Sequence, residues 1–127
     1  MPFIIRVDRK RQLIEVAYPP HPTAADVADY VVSIKDAIEH MAGEWDCLVD
    51  QRQLKVMPPA LVAEVATLNA WAEKRRMRRS ARVVASAVAT LQTQRMAREA
   101  SLHAEVRSFS SREEAIAWLI DSRATPR

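Results

Sequence analysis

The 127-residue chain is 49% hydrophobic and 28% charged, and it contains one cysteine and one glycine. Globular chains average roughly 7% glycine, so the lone Gly43 excludes phosphate-binding loops, dinucleotide fingerprints and nucleophile elbows, which need several glycines. The net charge of +3 is too weak to indicate nucleic acid, and one cysteine excludes an intrachain disulfide or a thiolate zinc site. We expect one soluble, cytoplasmic domain over residues 1–127, with no signal peptide, transmembrane segment or cofactor.

The first part of the chain predicts a β-hairpin followed by a helix. Phe3 to Val7 and Leu13 to Tyr18 have the character of strands around a polar loop, and a proline-rich segment ends the second strand. Thr23 with Asp26 forms a capping box. Apolar residues then recur at helical spacing, at Val27, Tyr30, Val31, Ile34, Ile38 and Met41. Gly43 follows this stripe and is interpreted as the helix C-cap.

A second strand and helix follow. Trp45 to Val49 is a short apolar run that ends at Asp50, which is typical of a buried central strand. Pro58 and Pro59 favour a helix start. The helix has an apolar seam that runs into the basic segment from Glu73 to Arg79; the seam consists of Leu61, Val65, Leu68 and Ala72. We predict that Arg75 shares a helix face with Arg78 and Arg79 at the end of this helix.

The remaining elements alternate in the same way. Ala81 to Ala89 predicts a strand of small residues, and Thr90 to Ala100 a third helix. Glu105 to Phe109 predicts the last strand, after which Ser110 and Glu113 form a capping box that opens a final helix. The order is therefore β-β-α-β-α-β-α-β-α: an α/β fold with a mostly parallel five-stranded sheet, one antiparallel edge strand and helices packed against it. A tail over residues 122–127 is expected to fray.

This order of elements resembles the STAS domain, and in particular its SpoIIAA-like branch. The resemblance is carried by the opening hairpin, by the strand from Trp45 to Asp50, and by the segment from Phe109 to Leu119, which matches the ending F-x-x-x-E-E-A-x-x-W-L. It implies a non-catalytic regulatory or protein-interaction module of a bacterial cytoplasm. The related Sec14-type fold implies an alternative, a small-molecule or lipid binder that uses a cavity between sheet and helices.

The loop after the central strand departs from the pattern of this family. In the anti-sigma-factor antagonists, a phosphorylatable serine stands at the start of the following helix. The matching stretch here, Asp50 to Ala60, contains no Ser, Thr or Tyr. A phosphate at this place would add about −1.5 to −2 charge at a helix N-terminus. The resemblance therefore implies the fold without this phosphorylation switch.

Asp50 is the first residue of the first candidate site. It is expected at the carboxyl end of a central strand, the edge where open α/β sheets bind ligands. Together with Gln51 and Arg52, Asp50 is a candidate for anchoring a polar ligand or partner. The favoured alternative is that Asp50 accepts backbone N–H groups of its own loop.

The densest basic cluster is the second candidate; it comprises Lys74, Arg75, Arg76, Arg78, Arg79 and Arg82. These residues either form a solvated helix end that offsets the helix dipole or bind an acidic surface on a protein, lipid head groups or nucleic acid. Nucleic acid is disfavoured because no aromatic residues alternate with the cations. Trp71 precedes Arg75 by one turn at the edge of the apolar seam, a composition typical of interface hot spots. We hypothesise that Trp71 and the basic end form a protein-contact surface, including that of a homodimer.

Catalytic and metal sites are not indicated. The three histidines are far apart and lack the spacing of metal ligands. Cys47 in the middle of a strand is interpreted as a buried small hydrophobe rather than a nucleophile. An enzyme whose site combines Asp50, Arg52 and His21 is the weakest alternative.

Overall fold

Five strands, paired in chain order, form one sheet in the computed structural model, which describes residues 2–56, 58–85 and 105–124. β1 pairs antiparallel with β2, and the other neighbouring strands pair parallel. This confirms the predicted α/β fold with one antiparallel edge strand. The predicted third helix, Thr90 to Ala100, lies outside the described residues. The elements are β1 (Ile4–Asp8), β2 (Leu13–Ala17), α1 (Ala24–Glu39), β3 (Trp45–Asp50), α2 (Pro59–Glu73), β4 (Met77–Val83), β5 (Glu105–Phe109) and α3 (Arg112–Ala124).

The start of α1 follows the prediction, and its end does not. The Thr23 hydroxyl accepts the backbone N–H of Asp26 at 3.1 Å, and the Asp26 carboxylate accepts that of Thr23 at 3.0 Å, which completes the capping box. The helix ends at Glu39 with His40 as its C-cap, so the assignment of Gly43 to that position is wrong. Gly43 has a φ of +104° in the loop before β3, a conformation that glycine adopts without steric cost.

The basic segment after α2 also differs from the prediction. The helix ends at Glu73, so Arg75 does not share a helix face with Arg78 and Arg79. Arg76 has a positive φ of 71°, which terminates the helical path and turns the chain into β4. Parallel pairing with β3 therefore outweighs the high helix propensity of the arginines, and the segment from Met77 forms a strand. As a result β4 also begins four residues before the strand predicted at Ala81.

The N-terminus of α3 is displaced by one residue from the predicted capping box. The hydroxyl of Ser111 accepts the backbone N–H of Glu114 at 3.2 Å. Ser110 and Glu113, the pair named from the sequence, do not fill these positions, because the chain leaves β5 and bends before the helix begins at Arg112. Two overlapping Ser-x-x-Glu spacings occur in this segment, and the strand end decides between them.

The core lies in two layers, one on each face of the sheet. On the α1–α2 face, buried side chains of α1 and α2 pack on those of β2, β3 and β4. This cluster includes Ile14, Val16, Tyr30, Ile34, Trp45, Leu68 and Met77. On the α3 face, Ala115 and Leu119 of α3 pack on Leu13, Leu48 and Val83. The alternation of side chains along each strand assigns every strand residue to one of these two faces.

A register shift between β3 and β4 alters that alternation. Arg78 is the extra residue between the pairs that β4 makes with Trp45 and Asp46. Such a bulge changes the direction of the side chains that follow it. Arg78 and Arg79 both lie on the α3 face, where Arg78 binds Asp46 and Arg79 contacts Trp118.

Candidate functional site

The structure brings Asp50 and Arg52 together at the carboxyl edge of β3. The Asp50 carboxylate accepts the backbone N–H of Arg52 at 3.0 Å and two guanidinium N–H groups, from Nε at 3.0 Å and Nη2 at 2.8 Å. These hydrogen bonds from Arg52 lower the pKa of Asp50. Gln51 is buried between β3 and β4, where its backbone N–H donates to the Val83 carbonyl. Asp50 is thus engaged within its own loop, in the way that the favoured alternative expected.

Arg78 forms a partly buried ion pair with Asp46. Its Nε and Nη2 donate to the two carboxylate oxygens of Asp46 at 3.1 and 2.9 Å, and Nη2 also lies 3.5 Å from the carbonyl of Leu119. The side chain of Asp46 is 2% exposed. Arg78 therefore connects β3 to α3, and most of its side chain is withdrawn from the surface.

Arg79 is directed inward in the same way. Its side chain is 7% exposed, pairs with Glu105 at 3.4 Å and stacks over the ring of Trp118 at 4.6 Å. Arg107 approaches the same ring at 5.2 Å. Two of the arginines that the sequence offered as partner-binding residues thus have contacts within the protein.

Trp71 remains accessible, with cations on its ring. Its side chain is half-buried at the C-terminal end of α2, and the Arg75 guanidinium lies 4.6 Å from the ring centroid. Nζ of Lys35, on α1, lies 5.0 Å from the same centroid. The sequence places Arg75 one turn after Trp71, whereas Lys35 is distant in sequence and carries no local signal. We call Lys35, Trp71 and Arg75 the cation–aromatic surface.

A groove between α1 and α2 adjoins the cation–aromatic surface. Its volume is about 350 Å³, and its walls are formed by Val31, Lys35, Ala63, Glu64, Thr67 and Leu68. Lys35 belongs to both features, since it lines the groove and covers the Trp71 ring. A largely apolar groove that shares a lysine with an accessible tryptophan has the composition of a protein-binding surface.

A second cavity, of about 300 Å³, lies on the α3 face. It is lined by Arg11, Leu13, Asp46, Ile116, Leu119 and Ile120. Its walls are mainly apolar, and Asp46 contributes a carboxylate that is already bound by Arg78. None of the candidate residues from the sequence lines this cavity, because it forms only where the hairpin meets α3.

Cys47 and the metal-ligating residue types were the remaining candidates for chemistry in the sequence. Cys47 is buried in the core, which confirms its interpretation as a small hydrophobe, and burial raises the pKa of its thiol to about 11. Within residues 2–56, 58–85 and 105–124, no three His, Cys, Asp or Glu side chains are grouped to hold a metal ion. No helix in that part of the chain has the length and apolarity needed to cross a membrane.

Comparisons with known proteins agree with this architecture. A family model described as SpoIIAA-like matches residues 13–120. Among solved structures, an uncharacterised protein of the DUF3478 family with a SpoIIAA-like fold, from Shewanella loihica PV-4, superposes with a TM-score of 0.76. The alignment covers 93% of this chain and 94% of that chain at 14% identity, so the likeness concerns the fold alone. No curated protein matches the sequence.

Proposed function

Because the chain belongs to the SpoIIAA-like family, we propose that it is a non-catalytic, regulatory interaction module of STAS type in a reducing cytoplasm. The partner is a protein with an acidic segment, which binds at the cation–aromatic surface. The observation that carries the proposal is the half-buried Trp71 ring, held by cations from two different elements. The groove beside it offers room for an apolar side chain of the same segment.

Trp71 has the properties of a binding anchor. Tryptophan and arginine are the residue types most enriched among interface hot spots. Contacts with Lys35 and Arg75 restrict the ring before a partner arrives, so binding loses less side-chain entropy. A partner that covers the ring also removes both cation–π contacts from water. Such contacts are stronger when they are desolvated than at an exposed site.

The charges around the ring favour an acidic partner on one side of it. Lys74, Arg75 and Arg76 are consecutive and exposed in the turn that follows α2. Glu64 lines the adjoining groove together with Lys35. We therefore expect acidic residues of the partner to face the turn, and an apolar residue to enter the groove.

The α1 stripe favours an interaction module over a lipid binder. Its inward side chains are at most 5% exposed and pack on the sheet: Val27, Tyr30, Ile34 and Ile38. Neither of the two cavities described above is lined by these four residues, although Val31, which the sequence also placed in the stripe, lines the groove between α1 and α2. The four side chains thus fill the space between α1 and the sheet, where the lipid-binding alternative requires an apolar gap.

Affinity capture from a lysate of the source organism tests the proposal. The bait is the full chain as wild type, as Trp71→Ala, and as Ile120→Ala, which truncates an exposed apolar residue on the α3 face. We expect one protein with an acidic segment to be retained by wild type and by Ile120→Ala. The Trp71→Ala bait should bind that purified protein about 30-fold more weakly, which corresponds to about 2 kcal/mol for a hot spot.

Two results would contradict the proposal. Equal binding of the purified partner to wild type and Trp71→Ala would place the interaction elsewhere. Sedimentation of the purified wild type as a dimer, with Trp71→Ala as a monomer, would make a second copy of the chain the occupant of the surface.

A further inference from the structure

The cavity on the α3 face has room for a small ligand. Its volume of about 300 Å³ is at the lower end of the range of small-molecule sites. Its lining includes Leu13 on β2 and three aliphatic residues of α3, which are Ile116, Leu119 and Ile120. Ile120 is 43% exposed, so this wall leaves apolar surface in water, and a ligand that covers it gains hydrophobic free energy. The cavity therefore favours an apolar group.

Arg11 and Asp46 are the charged residues in the lining of this cavity, and they differ in how they are engaged. Both oxygens of the Asp46 carboxylate accept hydrogen bonds from Arg78, so these two charges offset each other. The Asp46 side chain is 2% exposed and adds little polar surface to the wall. Arg11 lies in the turn of the hairpin, and its side chain is 56% exposed. The accessible charge that these lining residues offer a ligand is therefore positive.

The guanidinium of Arg11 is held only loosely by its neighbour Asp8. Its Nε lies 3.8 Å from the Asp8 carboxylate, which is longer than a hydrogen bond. The backbone N–H of Arg11, by contrast, donates to that carboxylate at 3.2 Å, so Asp8 fixes the turn more than it fixes the side chain. A guanidinium can bind a carboxylate through two parallel N–H···O hydrogen bonds. Arg11 is therefore suited to hold a carboxylate where the cavity meets solvent.

We propose that the α3-face cavity binds a small aliphatic carboxylate, with its chain against the isoleucines of α3 and its carboxylate on Arg11. Burial of the chain supplies most of the affinity, since each CH₂ group removed from water strengthens binding about fourfold. The guanidinium selects the anion over a neutral molecule of the same length. The cavity and the cation–aromatic surface lie on opposite faces of the sheet, so this site does not depend on the proposed function.

Calorimetric titration of the full chain with octanoate, hexanoate and 1-octanol at neutral pH tests this site. We expect octanoate to bind with a Kd below about 1 mM. Hexanoate has two fewer CH₂ groups to bury and should bind about tenfold more weakly. 1-Octanol has the same chain length but no charge to pair with Arg11, so it should also bind about tenfold more weakly than octanoate.

Two variants at exposed positions separate the charge from the chain. Arg11→Met should bind octanoate about tenfold more weakly, with an affinity close to that of the wild type for 1-octanol. Arg6→Met is the matched control: it removes the same charge from an exposed position on β1 outside the cavity lining and should bind octanoate as the wild type does. Ile120→Glu places a carboxylate on the cavity wall and should abolish octanoate binding.

Four results would overturn the proposal. The wild type would show no binding at millimolar octanoate, or it would bind octanoate and 1-octanol equally. A folded Arg11→Met protein would keep the wild-type affinity for octanoate, or Ile120→Glu would bind octanoate undiminished. Because Arg11 and Ile120 are both exposed, neither substitution removes a buried group on which folding depends.

Discussion

The bulge between β3 and β4 directs Arg78, one cation of the basic segment, toward the largely buried carboxylate of Asp46. The sequence around Arg78 suggests a solvated helix end, but the register shift directs its side chain under α3 and onto a carboxylate that is 2% exposed. Removing one member of a buried ion pair leaves the other charge without its partner, which is more costly than removing both.

Arg78→Met should therefore lower the free energy of unfolding by about 3 kcal/mol. The double variant Asp46→Leu/Arg78→Met should recover most of that loss, because no charge remains buried. Urea unfolding of both variants measures these changes. A loss of less than about 0.5 kcal/mol in Arg78→Met, the range of an ordinary surface substitution, would show that the pair is open to water.

The buried thiol of Cys47 makes the free energy of unfolding decline at alkaline pH. A solvent-exposed thiol, as in the unfolded chain, has a pKa of 9.0, and burial raises the pKa of Cys47 to about 11 in the folded chain. Its contribution is fully present below pH 9.0 and is lost as pH rises toward about 11, because the unfolded thiol ionises first. The pKa values of Tyr18 and Tyr30, raised by burial, add a decline of the same sign at higher pH.

We expect the free energy of unfolding to fall by roughly 1 kcal/mol per pH unit on account of Cys47 across that interval. Cys47→Ala should show a shallower slope, whatever its absolute stability. Urea unfolding at a series of alkaline pH values measures both slopes, and identical slopes would mean that the thiol ionises as readily in the folded chain.

At the scale of elements, the position where β5 ends makes Ser111, and not Ser110, the N-terminal cap of α3. Ser111→Ala should lower the free energy of unfolding by about 1 kcal/mol, since it removes the acceptor for the Glu114 N–H. Ser110→Ala is the matched control and should change it by only a few tenths of a kcal/mol. Thermal or urea unfolding distinguishes the two, and the reverse order of effects would restore the capping box first predicted at Ser110.

An element was predicted correctly where its local sequence allowed one capping pattern, and incorrectly where two patterns competed or strand pairing overrode helix propensity. The Thr23–Asp26 box is unique in its segment and was predicted correctly, whereas two overlapping serine boxes precede α3. The end of α2 was missed because a run of lysine and arginine favours helix locally, while strand pairing and the positive φ of Arg76 favour β4. Gly43 was placed near a helix end, but its φ serves the loop that leads to β3.

At the scale of the whole molecule, tertiary contacts divide the basic cluster between surface and interior. Arg75 stays at the surface on Trp71, its near neighbour in sequence, but Arg79 lies inside on Trp118. Lys35 joins the Trp71 ring from another helix, so no local pattern could reveal it. The same limit applies to Arg82, which local sequence groups with the other cations and the sheet places in the core.

The indole N–H signals of the tryptophans provide the most direct measurement of the proposed interface. Trp71 lies on the cation–aromatic surface, Trp118 lies on the α3 face, and the Trp45 indole donates to the Arg75 carbonyl at 2.7 Å. In a titration of ¹⁵N-labelled protein with the captured partner, we predict that the Trp71 signal shifts while the Trp118 signal stays in place. A shift of the Trp118 signal with an unchanged Trp71 signal would contradict binding at the cation–aromatic surface.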